Sequence, residues 1–302
     1  MKLVKWLFSM IPFVLYSSEP LKIAFTALHL PSLSTVELNS DQYVPLASTF
    51  KLPLAIYCLQ KEPSLDVRLK IAKTDLRDGA GIMKFQFTEG VEYSLKELIE
   101  LMMVYSDNTA TDILLARCGG PTVITQWLRN IGIEKVVIQN SCLEILTSYY
   151  GIKDLPSLCT LETFEIYKQQ VKPIEQQKAA QAYLTSMPDR TTSQAIILLL
   201  KKLMLDELLS DDLKVFLLHC MVKSEMGLNR IRKHLPPQLL AGDKEGTLGI
   251  LAADVGVLVL PGHQSYILIA AYSYGGSSLQ EREDLIAELS LKAYQQFSNQ
   301  KL

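Results

Sequence analysis

Three short segments carry residue types whose spacing could do chemistry. Ser48-Thr49-Phe50-Lys51 sets a hydroxyl and an amine one helical turn apart, at the start of an apolar run. On a helix the two can meet on one face. A lysine that gives up its proton in a partly desolvated site can act as general base for such a serine, and a helix start favours negative charge developing on its oxygen. Ser106-Asp107-Asn108 falls at the junction of two expected helices. There Ser106 could relay a proton while the Asn108 amide donates to a substrate carbonyl. Asp243-Lys244-Glu245-Gly246-Thr247 opens a C-terminal strand. Lys244 would offer positive charge to a substrate carboxylate, and Gly246 lets a ligand approach the backbone closely. Each segment alone also reads as ordinary structure: two helix caps and a charged turn. Ser298 to Lys301 even repeats the first spacing near the chain end.

The elements that must position these groups follow from periodicity. Residues 21–30 alternate as a strand through Ile23, Phe25 and Ala27, and 34–38 offers a second. From about 48 to 135 the period is helical. Ser94 and Glu97 read as a capping box opening a helix with Leu95, Leu98, Ile99 and Met102 on its apolar face. Asn108 to Arg117 is a further helix, closed by Gly119-Gly120-Pro121, and another runs through Trp127 to Asn130. Residues 140–190 read as irregular. Helices resume at 192–205 and 211–222. A hairpin of 248–260 and 265–274 follows, and a last helix carries Ile286, Leu289, Ala293 and Phe297 on one stripe. Strands from both chain ends around a helical middle suit one antiparallel sheet with an inserted helical part, and a cleft between the two.

Composition narrows the class. The 302 residues are 48% hydrophobic and 21% charged, with 30 basic against 32 acidic residues. That is enough apolar material for a large core, and it excludes disorder as the main state. Without a basic stripe, nucleic acid is not an expected partner. The five cysteines show no CxxC spacing and the four histidines stand apart, so no metal site is expected. Lys2 and Lys5 precede an apolar run from Trp6 to Tyr16 and then Ser17-Ser18-Glu19-Pro20, the layout of a signal peptide over residues 1–20. The run is too short for a stable membrane span.

Taken together, SxxK, SDN and a lysine–x–glycine on a late strand form the set that marks class A β-lactamases and penicillin-binding proteins. The chain resembles the class A β-lactamase family over most of residues 21–300. Ala47 to Pro53 looks like the family's nucleophile helix, and Val104 to Thr111 with Gly119-Gly120-Pro121 like its SDN helix and exit. Thr191-Thr192 and Asp254-Val255-Gly256 are similar to its C-terminal half. The resemblance implies an α/β (α+β) fold of the β-lactamase/transpeptidase type. Residues 21–46 and 191–302 would form a five-stranded antiparallel sheet domain flanked by helices. Residues 47–190 would form an inserted all-helical domain with an extended omega-loop-like segment.

It further implies covalent serine catalysis without a cofactor. Ser48 would be the nucleophile, Lys51 its base and Ser106 the proton relay. Asn108, Lys244, Gly246 and Thr247 would bind substrate, with the Ser48 and Thr247 N–H groups as oxyanion hole. The expected protein is a secreted or periplasmic monomer hydrolysing a small β-lactam or peptidoglycan-like substrate. The alternatives are a penicillin-binding or D-Ala-D-Ala peptidase-like hydrolase with slow deacylation, and a non-catalytic binding protein. Two positions depart from the family. Counted from Ser106, Cys142 falls where the family's deacylating glutamate stands, leaving Glu144 as the preferred candidate ahead of Glu162, Glu165 and Glu175. Glu245 replaces the usual Thr or Ser; strand alternation is expected to turn it from Lys244, with Thr247 supplying the hydroxyl.

Overall fold

The computed structural model describes residues 20–62, 64–261 and 265–298. Strands β1 (Lys22–His29), β2 (Thr35–Leu38) and β3 (Val44–Pro45) lead into a 3₁₀ turn at Ala47–Phe50. Helix α1 (Lys51–Lys61), strand β4 (Arg68–Lys70), the short α2 (Met83–Gln86) and strand β5 (Glu92–Ser94) follow. Helices α3 (Leu95–Val104), α4 (Asn108–Arg117), α5 (Pro121–Asn130), α6 (Cys142–Tyr150), α7 (Leu161–Gln170) and α8 (Pro173–Ser186) make the middle of the chain. Strand β6 (Arg190–Thr191) and helices α9 (Ser193–Met204) and α10 (Asp211–Val222) return it to the sheet. Strands β7 (Leu240–Leu248), β8 (Leu251–Val259) and β9 (Tyr266–Tyr274) and helix α11 (Leu279–Ser298) complete it. The leader expected over residues 1–20 lies almost wholly outside the described residues. So do the hairpin tip at 262–264 and Lys301.

The five long strands form one antiparallel sheet in the order β2-β1-β9-β8-β7. Period-two alternation splits its central strands between two cores. Val255, Val257, Leu268, Ala270 and Tyr272 face the larger core, shared with the helices before residue 222. Ala252, Leu258, Ile267, Ile269 and Ala271 face Ile286, Ala293 and Phe297 of α11. Both faces are covered, so β8 and β9 are apolar nearly throughout.

Two expectations change. The sequence 243–260 does not run into one hairpin strand. Gly249, at φ +55°, makes a tight turn with Ile250, and Leu248 pairs with Leu251 across it. Asp243 to Thr247 therefore lie on a separate edge strand, β7. Gly242-Asp243-Lys244-Glu245-Gly246 lacks the β-branched residues that advertise a strand, which hid it. Residues 140–190 are not irregular but hold α6, α7 and α8. The base of this segment is closed by Asp189. One of its oxygens accepts from the N–H groups of Gln139 and Asn140 at 2.7 and 3.0 Å. The other accepts from Asn140 Nδ2 at 2.7 Å and the Tyr183 hydroxyl at 2.6 Å. Lys168 of α7 then docks the segment on the loop before α2, 2.8 Å from the Asp78 carboxylate.

Candidate active site

Helix α1 starts the site because it is buried nearly all round. Residues 51–56 are buried without a break, so the helix is a central rod rather than a surface one. Its N-terminus is fixed from the sheet: Thr49 Oγ1 donates to the Leu46 carbonyl at 2.6 Å and lies 3.0 Å from the Tyr272 hydroxyl on β9. Ser48 sits half-buried in the 3₁₀ turn, and Lys51 is fully buried one turn on. Ala47, just before it, is held at φ +43°, a conformation non-glycine residues rarely adopt.

Ser106 is likewise left-handed, at φ +53°. It forms the exit from α3, where the N–H groups of Tyr105 and Asp107 both reach the Leu101 carbonyl. Helix ends usually place glycine there, so a serine costs about 1 kcal/mol or more in backbone strain. What this geometry provides is two oxygens for Lys51. Lys51 Nζ donates to the Ser106 carbonyl at 2.6 Å, to Asn108 Oδ1 at 2.8 Å and to Ser106 Oγ at 3.3 Å. Asp107 between them is structural. It caps α4 through the Ala110 N–H and accepts from the N–H groups of Ile82 and Met83.

Lys244 comes from β7 on the other side and donates to the same Ser106 Oγ at 2.9 Å. The Ser106 hydroxyl thus bridges two buried lysines. Gly246 lets β7 approach: a Cβ there would stand 2.9 Å from the Ser48 nitrogen and 3.1 Å from the Ala47 Cβ. Burial pushes Lys244 below the ordinary lysine range and the Lys51 charge adds to it, while Glu245 opposes both. Burial alone would raise the Glu245 carboxyl, but Lys244 and then Arg230 hold it below its usual range.

The structure brings together Lys51, Ser106, Asn108, Lys244 and Gly246 around Ser48, and it changes several details. No hydrogen bond of Lys51 goes to Ser48. The Asn108 amide nitrogen donates to the Asp78 carbonyl at 2.8 Å, which holds the side chain in place and occupies one of its two hydrogens. Glu245 does not turn away: its carboxylate lies 2.8 Å from Lys244 Nζ. Thr247 is exposed, and its hydroxyl accepts from buried Arg230 at 2.6 Å.

The carboxylate candidates are placed elsewhere. Glu144 is exposed and forms a capping box with Ser141, accepting its N–H at 2.7 Å and hydroxyl at 2.8 Å. Glu162 pairs with Lys73 at 3.0 Å, Glu165 pairs with Lys168 at 2.6 Å, and Glu175 is exposed in the first turn of α8. Cys142 is buried at the start of α6, its N–H donating to Asp112 at 2.7 Å. Burial first, and then the Asp112 charge, push its thiol far up; the Lys51 charge opposes them.

Asp112 and Arg230 were not singled out from sequence. Asp112 accepts from the first amides of α6 and from Arg77 Nε at 2.7 Å. Its signal was its position, one turn after Asn108 on the same face of α4. Arg230 also donates to the carbonyls of Gly246 and Ala253, both at 2.8 Å, and had no local motif.

Residues 11–297 match the model of the beta-lactamase enzyme family. The chain belongs to that family. Among curated relatives it is similar to beta-lactamase BRO-1 of Moraxella catarrhalis, 26% identical over 270 residues, covering 85% of this chain and 75% of that one. A beta-lactamase of Mycobacterium tuberculosis is also 26% identical, over 86% of this chain and 77% of its own. The fold matches the crystal structure of the TLA-1 extended-spectrum β-lactamase with a TM-score of 0.75 at 22% identity, covering 93% and 95% of the two chains. The structure of PBP-A matches at 0.74 and 22% identity over 95% and 94%.

Within this β-lactamase framework the Lys244–Glu245 pair makes a specific expectation. Replacing Glu245 with Thr exposes the Lys244 charge to a substrate carboxylate. Acylation by a carboxylate-bearing penicillin at pH 7 should quicken roughly tenfold, the effect of about 1.4 kcal/mol. Because Glu245 supports the Lys244 charge, its loss should also move the alkaline limb of the acylation rate to lower pH. A pH profile unchanged in height and position would contradict this role.

Proposed function

We propose that the protein is a serine β-lactamase in which Ser48 is acylated through a relay centred on Ser106. The observation that carries this reading is the Ser106 hydroxyl held between Lys51 and Lys244, at 3.3 and 2.9 Å. A serine so placed can pass a proton to the nitrogen leaving a ring-opened lactam, and the two cations favour that transfer.

The sequence of events follows from the donors available. With Lys51 as a neutral amine, one ammonium proton having passed to solvent, Ser48 Oγ attacks the lactam carbonyl carbon and its proton goes to the Lys51 nitrogen. Lys51 makes no bond to Ser48 in the free protein, so the transfer requires it to release a Ser106 contact or act through one water. As the C–N bond breaks, Ser106 gives its proton to nitrogen and recovers one from the lysine side. The backbone beside Gly246 lies against Ser48, which supports the assignment of the Ser48 and Thr247 N–H groups as oxyanion donors.

Hydrolysis of the acyl-enzyme then needs an activated water. Lys51 is bonded to neutral oxygens only; Glu144, Glu162 and Glu165 are held by other partners, and Glu175 is exposed in the first turn of α8. Deacylation is therefore the slow step of this enzyme. A general base is worth about 10²–10⁴-fold to such a proton transfer.

A β-lactam substrate supports a site of action outside the cytoplasm. No helix among the described residues is long and apolar enough to cross a membrane, and residues 1–20 have the layout of an export leader. Removal of that leader gives a chain starting near residues 17 to 21. N-terminal sequencing of the exported protein reads this directly, and an intact Met1 would contradict it.

The nucleophile is tested by mass spectrometry after incubation with penicillin. The native protein should carry one acyl adduct on the peptide containing Ser48. Ser48→Ala should carry none and lose turnover by orders of magnitude. An adduct that persists in Ser48→Ala would overturn the assignment.

A further inference from the structure

Far from Ser48, at the other ends of the helices that carry the site, two sulfurs meet. Cys58 lies in the second half of α1 and Cys118 caps the end of α4. Their Sγ atoms are 2.8 Å apart, closer than two unbonded sulfurs rest. Cys58 is fully buried and Cys118 half-buried. Among the described residues they form the one such pair; Cys142, Cys159 and Cys220 are buried without a sulfur partner.

A second contact joins the same two helix ends. Arg117, the last residue of α4, makes a bidentate ion pair with Glu62 at the end of α1, with distances of 2.6 and 2.8 Å. The sulfurs therefore lie beside an orienting ion pair, not at the ends of mobile arms. A disulfide needs its two sulfurs about 2 Å apart, and the 2.8 Å separation of these two lies close to that.

We propose that Cys58 and Cys118 are a redox site, and that oxidation closes a disulfide fastening α1 to α4. Cys118, the more accessible thiol, attacks an external disulfide, either a low-molecular-weight one such as oxidised glutathione or that of a thiol oxidase. One thiol leaves. Cys58 then attacks the Cys118 sulfur of the mixed disulfide and releases the second. Two cysteine thiols are oxidised, one external disulfide is reduced to two thiols, and the two protons pass to them. Export through an oxidising compartment supplies such partners.

The consequence reaches the site because both helices begin there. Lys51 is the first residue of α1 and Asn108 the first of α4, while Ser106 precedes α4 directly. The bridge closes a loop from residue 58 to 118 and so restricts the unfolded chain. It also fixes, at the far end, the helix pair whose near end holds Lys51 against Ser106 and Asn108.

The full chain treated with oxidised glutathione, then denatured and alkylated, should show three reactive thiols instead of five. It should also give a non-reduced peptide linking Cys58 to Cys118. Its Tm should rise by roughly 5–10 °C over the reduced protein, and Cys58→Ser and Cys118→Ser should each abolish both the link and the rise. Should Cys58→Ser fail to fold, Cys118→Ser, at the less buried position, carries the test alone. Five alkylated thiols after oxidation, or a Tm rise on oxidation that survives in Cys118→Ser, would overturn the proposal.

Discussion

Two buried lysines share one serine hydroxyl, and much of the molecule answers to that fact. Lys51 and Lys244 carry ammonium groups out of water, where an unpaired charge is costly. They are reconciled differently. Lys51 is held by neutral oxygens, two of them from Ser106, which explains why the chain tolerates a left-handed serine at the end of α3. Lys244 is held by the Glu245 carboxylate and by the Ser106 hydroxyl. The first solution leaves Lys51 without an ion-pair partner among the described residues. The second leaves a cation paired with a neighbouring carboxylate.

The scaffold exists to keep these groups from drifting apart. Asp107 locks the loop of Ile82 and Met83 to the start of α4, and Gly81 packs so tightly against it that a Cβ would stand 2.3 Å from its carboxylate. Asp112 secures the start of α6, and Asp189 the base of the segment that α6 begins. Arg230 ties β7 to β8 and, through Glu283, to α11. Behind it, Asp254 lies opposite Glu245 on the paired strand, and burial with the repulsion of Asp243 pushes its carboxyl well above the usual range.

Much of this was legible in the sequence, and the limits have physical causes. That Ser48, Lys51, Ser106 and Lys244 would lie together was readable because the chemistry expected of them sets those residue types at short, local spacings. The sheet from both chain ends was readable from period-two alternation. Asp112, Asp189 and Arg230 were not, because each acts through partners far away along the chain, as Asp112 does with Arg77 and Arg230 with Glu283. The helical nature of 142–186 was partly written: Ser141 to Glu144 repeats the Ser-x-x-Glu spacing of Ser94 to Glu97, and both begin helices. The same spacing explains why Glu144 is a cap, since its carboxylate has its own helix amides to satisfy. Glu245 defied alternation because a neighbouring buried ammonium attracts a carboxylate more strongly than strand geometry directs it.

With Ser48, Lys51 and Ser106 acylating as proposed and no described glutamate free to activate water, acylation should outrun deacylation. Rapid-mixing kinetics with a chromogenic cephalosporin measures both steps at once. The expected result is a burst of about one product per enzyme molecule, followed by a steady state slower by at least about tenfold, as acyl-enzyme accumulates. Fast, linear product formation from the first turnover, with no burst, would contradict it.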